Sequence, residues 1–596
     1  MKKQFSKIDP NIWLVLALSI FAWAPLLTPA YFFEAHDAKH SVFFLVEFDQ
    51  SFRDGFLWPR WAPDFSFGYG YPLFNLYAPL AFYAAELIHL LGFGLTAAVK
   101  TIYILATMGA GLGMYGFVKR LFGRWAGLLA AVVYMCVPFH LVEIFVRSAF
   151  AEYVALAVIP FLFWAFTELV AAPSRRRLAL AGLGYGLLAL THHTSFFTFS
   201  PFLMVYILYL ILAKSKLAVK PLISHALSAA AAGVLGVALA AIYLVPLVAE
   251  TRYIKVEQWT SGSYNYLQHF VYFSQLFSPE WGYGYAGSGP LDDFSFQLGI
   301  VVSGLTLFAA VAALARRFPH WGTALFFLIS TGIIVLLMSP LAEPIWQILP
   351  IAALVQFPWR LLGMTAFTMS IVSGSLLAVP GDRTESLKSS DPHYSPLGQV
   401  SSNEDIRIGT VVSESPAPVL LVALVVILGS FPYTLPQYTD IPDWAETPLA
   451  VLNWDRASIS DRVGMVSITE EQPQTSPMEQ QYLAGVPLTV AGIIAGQGTV
   501  ETLHHGGSSD EVRVVAQEPV TVQFYTYQYP GWQVTIDGRL REHRAEPPYG
   551  LITVDVPPGE HTLLLRMGST IPRTLGAVVS GLALVTIAVL FFLPPR

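Results

Sequence analysis

Residues 34–77 bring together side chains able to do chemistry. Glu34, His36, Asp37, His40, Glu47, Asp49, Arg53 and Asp54 follow closely on an apolar run that ends near Ala30. A carboxylate held at a membrane surface suits a general base, which takes the proton of an attacking hydroxyl; Asp37 is the candidate. His36 and His40 stand four residues apart, a spacing that could turn both imidazoles to one helix face and towards a metal. Further along, Glu143 and Arg147 are spaced to pair on a helix, with Glu152 close behind. Arg360 is the lone basic residue of segment 356–360, and a guanidinium grips phosphate through paired hydrogen bonds. His192 and His193 end an apolar run, where they could line a cavity, bind metal or cap a helix. Trp281, Tyr283 and Tyr285 could shape a cleft for an acceptor. Each group also has a plainer reading: a solvated loop acid, an interfacial ion pair, an arginine reaching for headgroups, or packed aromatics.

The elements that position these groups are membrane spans. Only 12% of the 596 residues are charged, about half the share of an average soluble domain. Mean hydropathy is +0.55, so much of the apolar surface must face lipid. The net charge of −6 offers nothing to nucleic acid. The single cysteine, Cys136, rules out a disulfide framework or a cysteine-based zinc site.

Apolar stretches of spanning length fall at 12–30, 97–118, 124–140, 152–171, 178–196, 200–213, 222–248, 297–314, 322–338, 359–379, 417–435 and 572–593. The expectation is therefore about twelve transmembrane helices, both termini cytoplasmic. Residues 72–92 are apolar but carry Pro72, Asn75, Pro79, Glu86 and His89. Leaving them uncrossed puts 18 basic residues in inside loops, against seven outside before residue 436, as positive-inside bias requires. They therefore read as a juxtamembrane or re-entrant helix. Residues 40–56 read as an amphipathic helix with Phe43, Phe44, Val46, Phe48 and Phe52 on lipid and Glu47, Gln50 and Asp54 in water. Loop 381–416 is polar and reads as flexible.

Three regions follow: a transmembrane domain over 1–435 with juxtamembrane helices within 40–92, an extracytoplasmic domain over 436–571, and a final span over 572–596. Alternation of period two within 512–567, with turns at Asp537-Gly538 and Pro557-Pro558-Gly559, predicts a small antiparallel β-sandwich over about 498–568. Its Tyr525, Tyr527, Tyr529 and Trp532 either stack on sugar rings or pack the sandwich.

An ordered set of motifs runs through nearly the whole chain: His36-Asp37 with His40, Gly55 to Trp61, Gly68 to Pro72, His140 to Glu152, Thr191-His192-His193, Ser278 to Gly284, Gln356 to Arg360, and Tyr529 to Trp532 with Pro558 to His561. The set resembles the GT-C glycosyltransferase superfamily and, more closely, a bacterial membrane-protein family labelled 6-pyruvoyl-tetrahydropterin-synthase-related. That label implies no pterin chemistry, since nothing here has the layout of a soluble, zinc-dependent pterin synthase. The resemblance implies a multi-pass protein of the bacterial cytoplasmic membrane. It implies a polyprenyl-phosphate-linked sugar as donor, an extracytoplasmic glycan, lipid or protein as acceptor, Asp37 as base, and a divalent metal as the one cofactor. In those enzymes an acid of the second outer loop assists, which points to Glu143 or Glu152. This chain departs by placing His36 beside the Asp, and Glu rather than Asp in the second loop.

The leading reading is transfer of a sugar from such a donor. A transporter or flippase also fits the span count, but no internal repeat is evident and most charges lie at helix mouths. A non-catalytic relative that binds polysaccharide through its β domain is the third reading.

Overall fold

The computed structural model describes residues 9–215, 218–349, 354–378, 416–457 and 465–593. Lys2, Lys3, Lys7, Lys216, Arg383, Lys388, Arg407, Arg596 and all but the last residue of loop 381–416 lie outside them. Each of the twelve apolar stretches carries helix. Eight runs are long and apolar enough to cross a membrane: Pro10–Leu27, Leu95–Phe122, Arg124–Phe145, Phe150–Ala171, His193–Ser215, Val219–Leu239, Ala417–Thr434 and Ile571–Phe592. The other four, Arg175–Thr191, Ile300–Leu314, Trp321–Leu337 and Leu362–Ser375, have 14–17 residues. At 1.5 Å per residue they reach about 21–26 Å, short of the ~30 Å hydrocarbon core. Trp321–Leu337 continues through an 82° bend into Pro340–Ile348. The expected span at 178–196 stops earlier, because extended backbone at His192 separates Arg175–Thr191 from His193–Ser215.

Residues 72–92 do not form one crossing helix. Pro72 and Pro79 divide them into a single turn and a helix over Leu80–Leu90, about 16 Å long. Its Leu87, Leu90 and Leu91 are exposed, as suits a helix bordering lipid. The 31–96 loop touches the turn after Phe145, the 278–296 loop and residues 439 and 454.

The helix Ala38–Arg53, here α1, corrects one expectation. It was to float on the bilayer with its polar side in water, yet Glu47 is fully buried alongside Phe43 and Phe48. The C-terminal region covers that polar side. Tyr482 donates to Asp64 Oδ1 (2.6 Å), Gln50 to Asp64 Oδ2 (2.7 Å), and the Asp64 amide to Glu47 Oε2 (3.0 Å). Asp54 accepts from the Ser508 amide (2.9 Å) and the Ser509 hydroxyl (2.8 Å).

The β region begins earlier than expected, with strand β1 at Ala491–Ala495. It continues through β2 Gly498–His505, β3 Ser509–Ala516, β4 Val520–Tyr527, β5 Trp532–Ile536, β6 Arg539–Arg541, β7 Arg544–Glu546, β8 Leu551–Val556 and β9 Gly559–Met567. One sheet has the order β1-β4-β8-β7 and the other β2-β3-β9-β5-β6, all pairs antiparallel. Tyr527, Tyr529 and Trp532 are buried, so they pack the core and the junction rather than presenting a sugar platform.

A buried ion pair fastens the last span to this assembly. Arg573 donates to Glu250 Oε2 through Nη2 (2.9 Å) and Nε (3.1 Å), and both side chains are almost completely buried. Glu250 also accepts from Asn75 (2.7 Å) and Thr570 (2.5 Å). Asn75 in turn accepts from Arg60 (2.7 Å).

Removing one partner strands a buried charge. Arg573→Met should cost about 3–5 kcal/mol, read as a lower melting temperature in detergent, and Glu250→Leu on top of it should recover much of the loss. A second expectation concerns Asp455, which is buried and accepts from the Phe67 amide (2.9 Å). Burial pushes its carboxyl up to about 8 from an ordinary 3.8. Within that window the folded chain holds a proton that the unfolded chain releases, so stability falls as pH rises. Asp455→Asn should flatten the decline in melting temperature between pH 5 and 8.

Candidate active site

The helix Pro138–Phe145, here α2, carries His140 and Glu143 and ends in a tight turn. Ser148 takes a left-handed backbone (φ 52°) and is held from three sides. Its hydroxyl lies 3.0 Å from Tyr31 Oη and 3.1 Å from Tyr103 Oη, and its carbonyl accepts from Ser41 (2.9 Å). The turn presents two carbonyls to the first loop. The His36 amide donates to Val146 O (3.1 Å) and the Asp37 amide to Arg147 O (2.7 Å). Asp37 is thus fixed through its backbone, while its carboxylate stays 46% exposed beside His40 Nδ1 at 3.8 Å.

Beneath it lies a compensated cluster. The Arg147 guanidinium is 4% exposed; Nη1 donates to Glu143 and to Glu152 Oε2 (2.9 Å). It rests 4.5 Å from the Trp359 ring centre. Arg360 places Nε 3.5 Å from Glu152 Oε2 and donates Nη1 to Val355 O (2.9 Å) and Gln356 Oε1 (3.0 Å). It therefore turns inward instead of reaching for headgroups. The Asp37 carboxylate acts electrostatically on both guanidiniums.

The structure sorts the histidines. His192 stands between Arg175–Thr191 and His193–Ser215; its Nδ1 accepts from the Ser195 amide (3.3 Å) and lies 2.9 Å from the Ser195 hydroxyl. It caps the second helix. The His193 ring lies 6.1 Å from the Tyr77 ring, edge to face, within the cluster's field. His36 points away from the cluster. Nε2 faces the carbonyls of Gly284 (3.0 Å) and Tyr283 (3.3 Å), so the proton sits there, and the ring stacks on Tyr285 at 4.1 Å. Burial lowers its pKa. Trp281 stacks on Tyr433 at 4.6 Å and shapes the 278–296 loop over His36, without reaching the cluster.

These donors do not fit the divalent metal suggested by the His36/His40 spacing. The ring of His36 is turned to the carbonyls of Tyr283 and Gly284 and stacked on Tyr285, while Asp37 and His40 stand 3.8 Å apart in a field already occupied by two guanidiniums. Among the described residues no three His, Cys, Asp or Glu side chains form a group that could hold a metal.

The structure thus brings Asp37, Glu143, Arg147, Glu152, Arg360, His192 and His193 together from five segments. It adds two residues that the sequence reading did not single out as site residues. Trp359 floors the Arg147 guanidinium, and Tyr77 lies 6.1 Å from the His193 ring in the field of Asp37, Glu152, Arg360 and Arg147. The only sequence signal was membership of the Gln356–Arg360 motif for Trp359 and a place at the end of the 34–77 stretch for Tyr77.

Solved structures with which the chain shares partial similarity include three transferases. The mycobacterial arabinofuranosyltransferase AftD is 14% identical, with a TM-score of 0.42 over 77% of this chain and 29% of that one. The Archaeoglobus fulgidus oligosaccharyltransferase is also 14% identical, with a TM-score of 0.41 over 80% and 61%. Arabinosyltransferase EmbB from Mycobacterium smegmatis is 11% identical, with a TM-score of 0.36 over 96% and 64%. The chain thus spans less than two thirds of each of these proteins. An uncharacterized protein of Lactococcus lactis subsp. cremoris (strain MG1363) is 22% identical over 221 residues, 36% of either chain. Residues 74–385, more than half of the chain, match the profile of a membrane-protein family described by a 6-pyruvoyl-tetrahydropterin synthase related domain. The chain belongs to that family.

Proposed function

We propose that the protein is a GT-C-type glycosyltransferase that moves a sugar from a polyprenyl-phosphate donor to an extracytoplasmic acceptor. One observation carries this reading: a half-exposed carboxylate, Asp37, is fixed by backbone hydrogen bonds over two buried guanidiniums at the mouth of a helical bundle. Substitution at an anomeric carbon needs those two functions side by side. The acceptor hydroxyl attacks the anomeric carbon and forms the new C–O bond. Asp37 takes its proton. The bond between that carbon and the phosphate oxygen breaks, and its electron pair leaves on the phosphate. Arg360, with Arg147 behind it, lowers the cost of that developing charge. Glu143 and Glu152 hold the guanidiniums in place rather than reacting. The motif order along the chain supports the same class of donor.

Asp37→Asn should lower sugar transfer by about 10²–10⁴. Its melting temperature should stay that of the wild type, because the carboxylate is half exposed. The assay supplies radiolabelled undecaprenyl-phosphate sugars to protein in nanodiscs. Full activity in the variant, or no turnover of any donor by the wild type, would shift the reading towards transport or polysaccharide binding. Arg360→Gln should raise the donor KM about tenfold or more, the worth of a hydrogen bond to a charged group. It should leave the protein folded, since Glu152 keeps its bond to Arg147.

A further inference from the structure

Charge counting in the cluster raises a question about the leaving phosphate. Arg147 and Arg360 are matched by Glu143 and Glu152, all largely shielded from water. The incoming phosphate therefore meets a compensated site and needs additional uncharged donors.

Tyr77 supplies one. Several buried tyrosine hydroxyls of the helical domain are engaged: those of Tyr31 and Tyr103 with Ser148, Tyr134 with Leu156 O, Tyr153 with Thr107 and Tyr243 with Leu76 O. The half-buried Tyr77 makes no side-chain hydrogen bond among the described residues, although Arg147, Arg360, Glu152 and Asp37 all act on it. Beside it, two polar atoms of the same neighbourhood are buried without a hydrogen-bond partner among the described residues: His193 Nδ1, and Arg360 Nε, which has only the Glu152 carboxylate at 3.5 Å. His192 is spent on its helix cap, so its neighbour is the free imidazole. Leaving a buried polar atom without a partner is disfavoured, and several at one place mark where a ligand's oxygens belong. The Tyr77 ring is wedged between Phe44 (5.6 Å) and Phe82 (6.0 Å), so the hydroxyl's position does not depend on a mobile side chain. Burial also raises the phenol's pKa, which keeps its proton in place at neutral pH.

We propose that the Tyr77 hydroxyl, with His193 and Arg360, binds the phosphate group of the lipid-linked donor and stays on it as the phosphate leaves. This rests on the glycosyl-transfer reading and assigns the donor's phosphate its uncharged ligands. Tyr77 acts by hydrogen bonding alone and exchanges no proton with the sugar.

The test is binding of farnesyl phosphate to the full-length protein in nanodiscs, followed by ³¹P NMR and calorimetry, with farnesol as the phosphate-free control. Tyr77→Phe keeps the ring and its packing. It should weaken farnesyl phosphate binding about tenfold or more and shift the bound ³¹P signal, with farnesol binding unchanged. His193→Gln serves as the second variant and should also weaken farnesyl phosphate selectively. Equal affinity of wild type and both variants would overturn the assignment while leaving Asp37-dependent transfer intact. Equal losses for farnesol would also overturn it, by showing that Tyr77 only shapes the apolar wall. Failure of the wild type to bind farnesyl phosphate would overturn it too, and the separate Asp37→Asn transfer assay would then decide whether the underlying reading falls with it.

Discussion

The architecture of the site depends on a guanidinium that water cannot reach. An unpaired Arg147 at this depth would cost several kcal/mol, so its surroundings are constrained on every side. Glu143 comes from its own helix, Glu152 from the start of the next, and Trp359 from a segment more than two hundred residues later. Satisfying one cation therefore draws three parts of the chain to one point. The same residue sets the site's geometry through its backbone, because its carbonyl receives the Asp37 amide. A change in the packing of Arg147 would move the carboxylate above it.

A second constraint holds the loop carrying Asp37 in place. Helix α1 is closed in by polar groups of the C-terminal region, through Asp64 with Tyr482 and Asp54 with Ser508 and Ser509. The Glu250–Arg573 pair ties the final span to the same junction. The β region thus completes the environment of the first loop, and its aromatics are consumed in that joint. Its most direct contact to the loop is the Tyr527 amide bonded to Tyr69 O (2.9 Å).

The site has layers of different character. The Asp37 carboxylate is half exposed. Below it, two cations and two acids cancel. Tyr77 and His193 stand 6.1 Å apart, ring to ring, with no side-chain hydrogen bond among the described residues. Placing compensated charges beneath uncharged donors lets an anionic ligand be held without stranding charge when it departs. The histidines divide by backbone position: the one at the helix break caps, and the one just inside the helix faces the site. The 278–296 loop lies over His36, so Trp281 influences the entrance from a distance.

Composition and hydropathy by themselves determined that the chain is a membrane bundle. Period-two alternation determined a β domain before the last span, and motif order determined the family. These are local or global averages, and the bilayer imposes them on any chain of this pattern. Glu143–Arg147 pairing was also legible, because it depends only on helical spacing. Tertiary structure alone decided the rest. Helix lengths fell short of apolar run lengths where His192 broke one and a bend diverted another. Burial of Glu47 and Asp54 became apparent only once the distant C-terminal region covered them, since hydropathy assigns an acid to water unless a partner arrives. His36 turned away from Asp37 because the carbonyls of Tyr283 and Gly284, far off in sequence, took its Nε2–H. Tyr77 entered the site for the same kind of reason: its surroundings are assembled from four other segments, and a hydroxyl's lack of a partner can be seen only when all of them are in place.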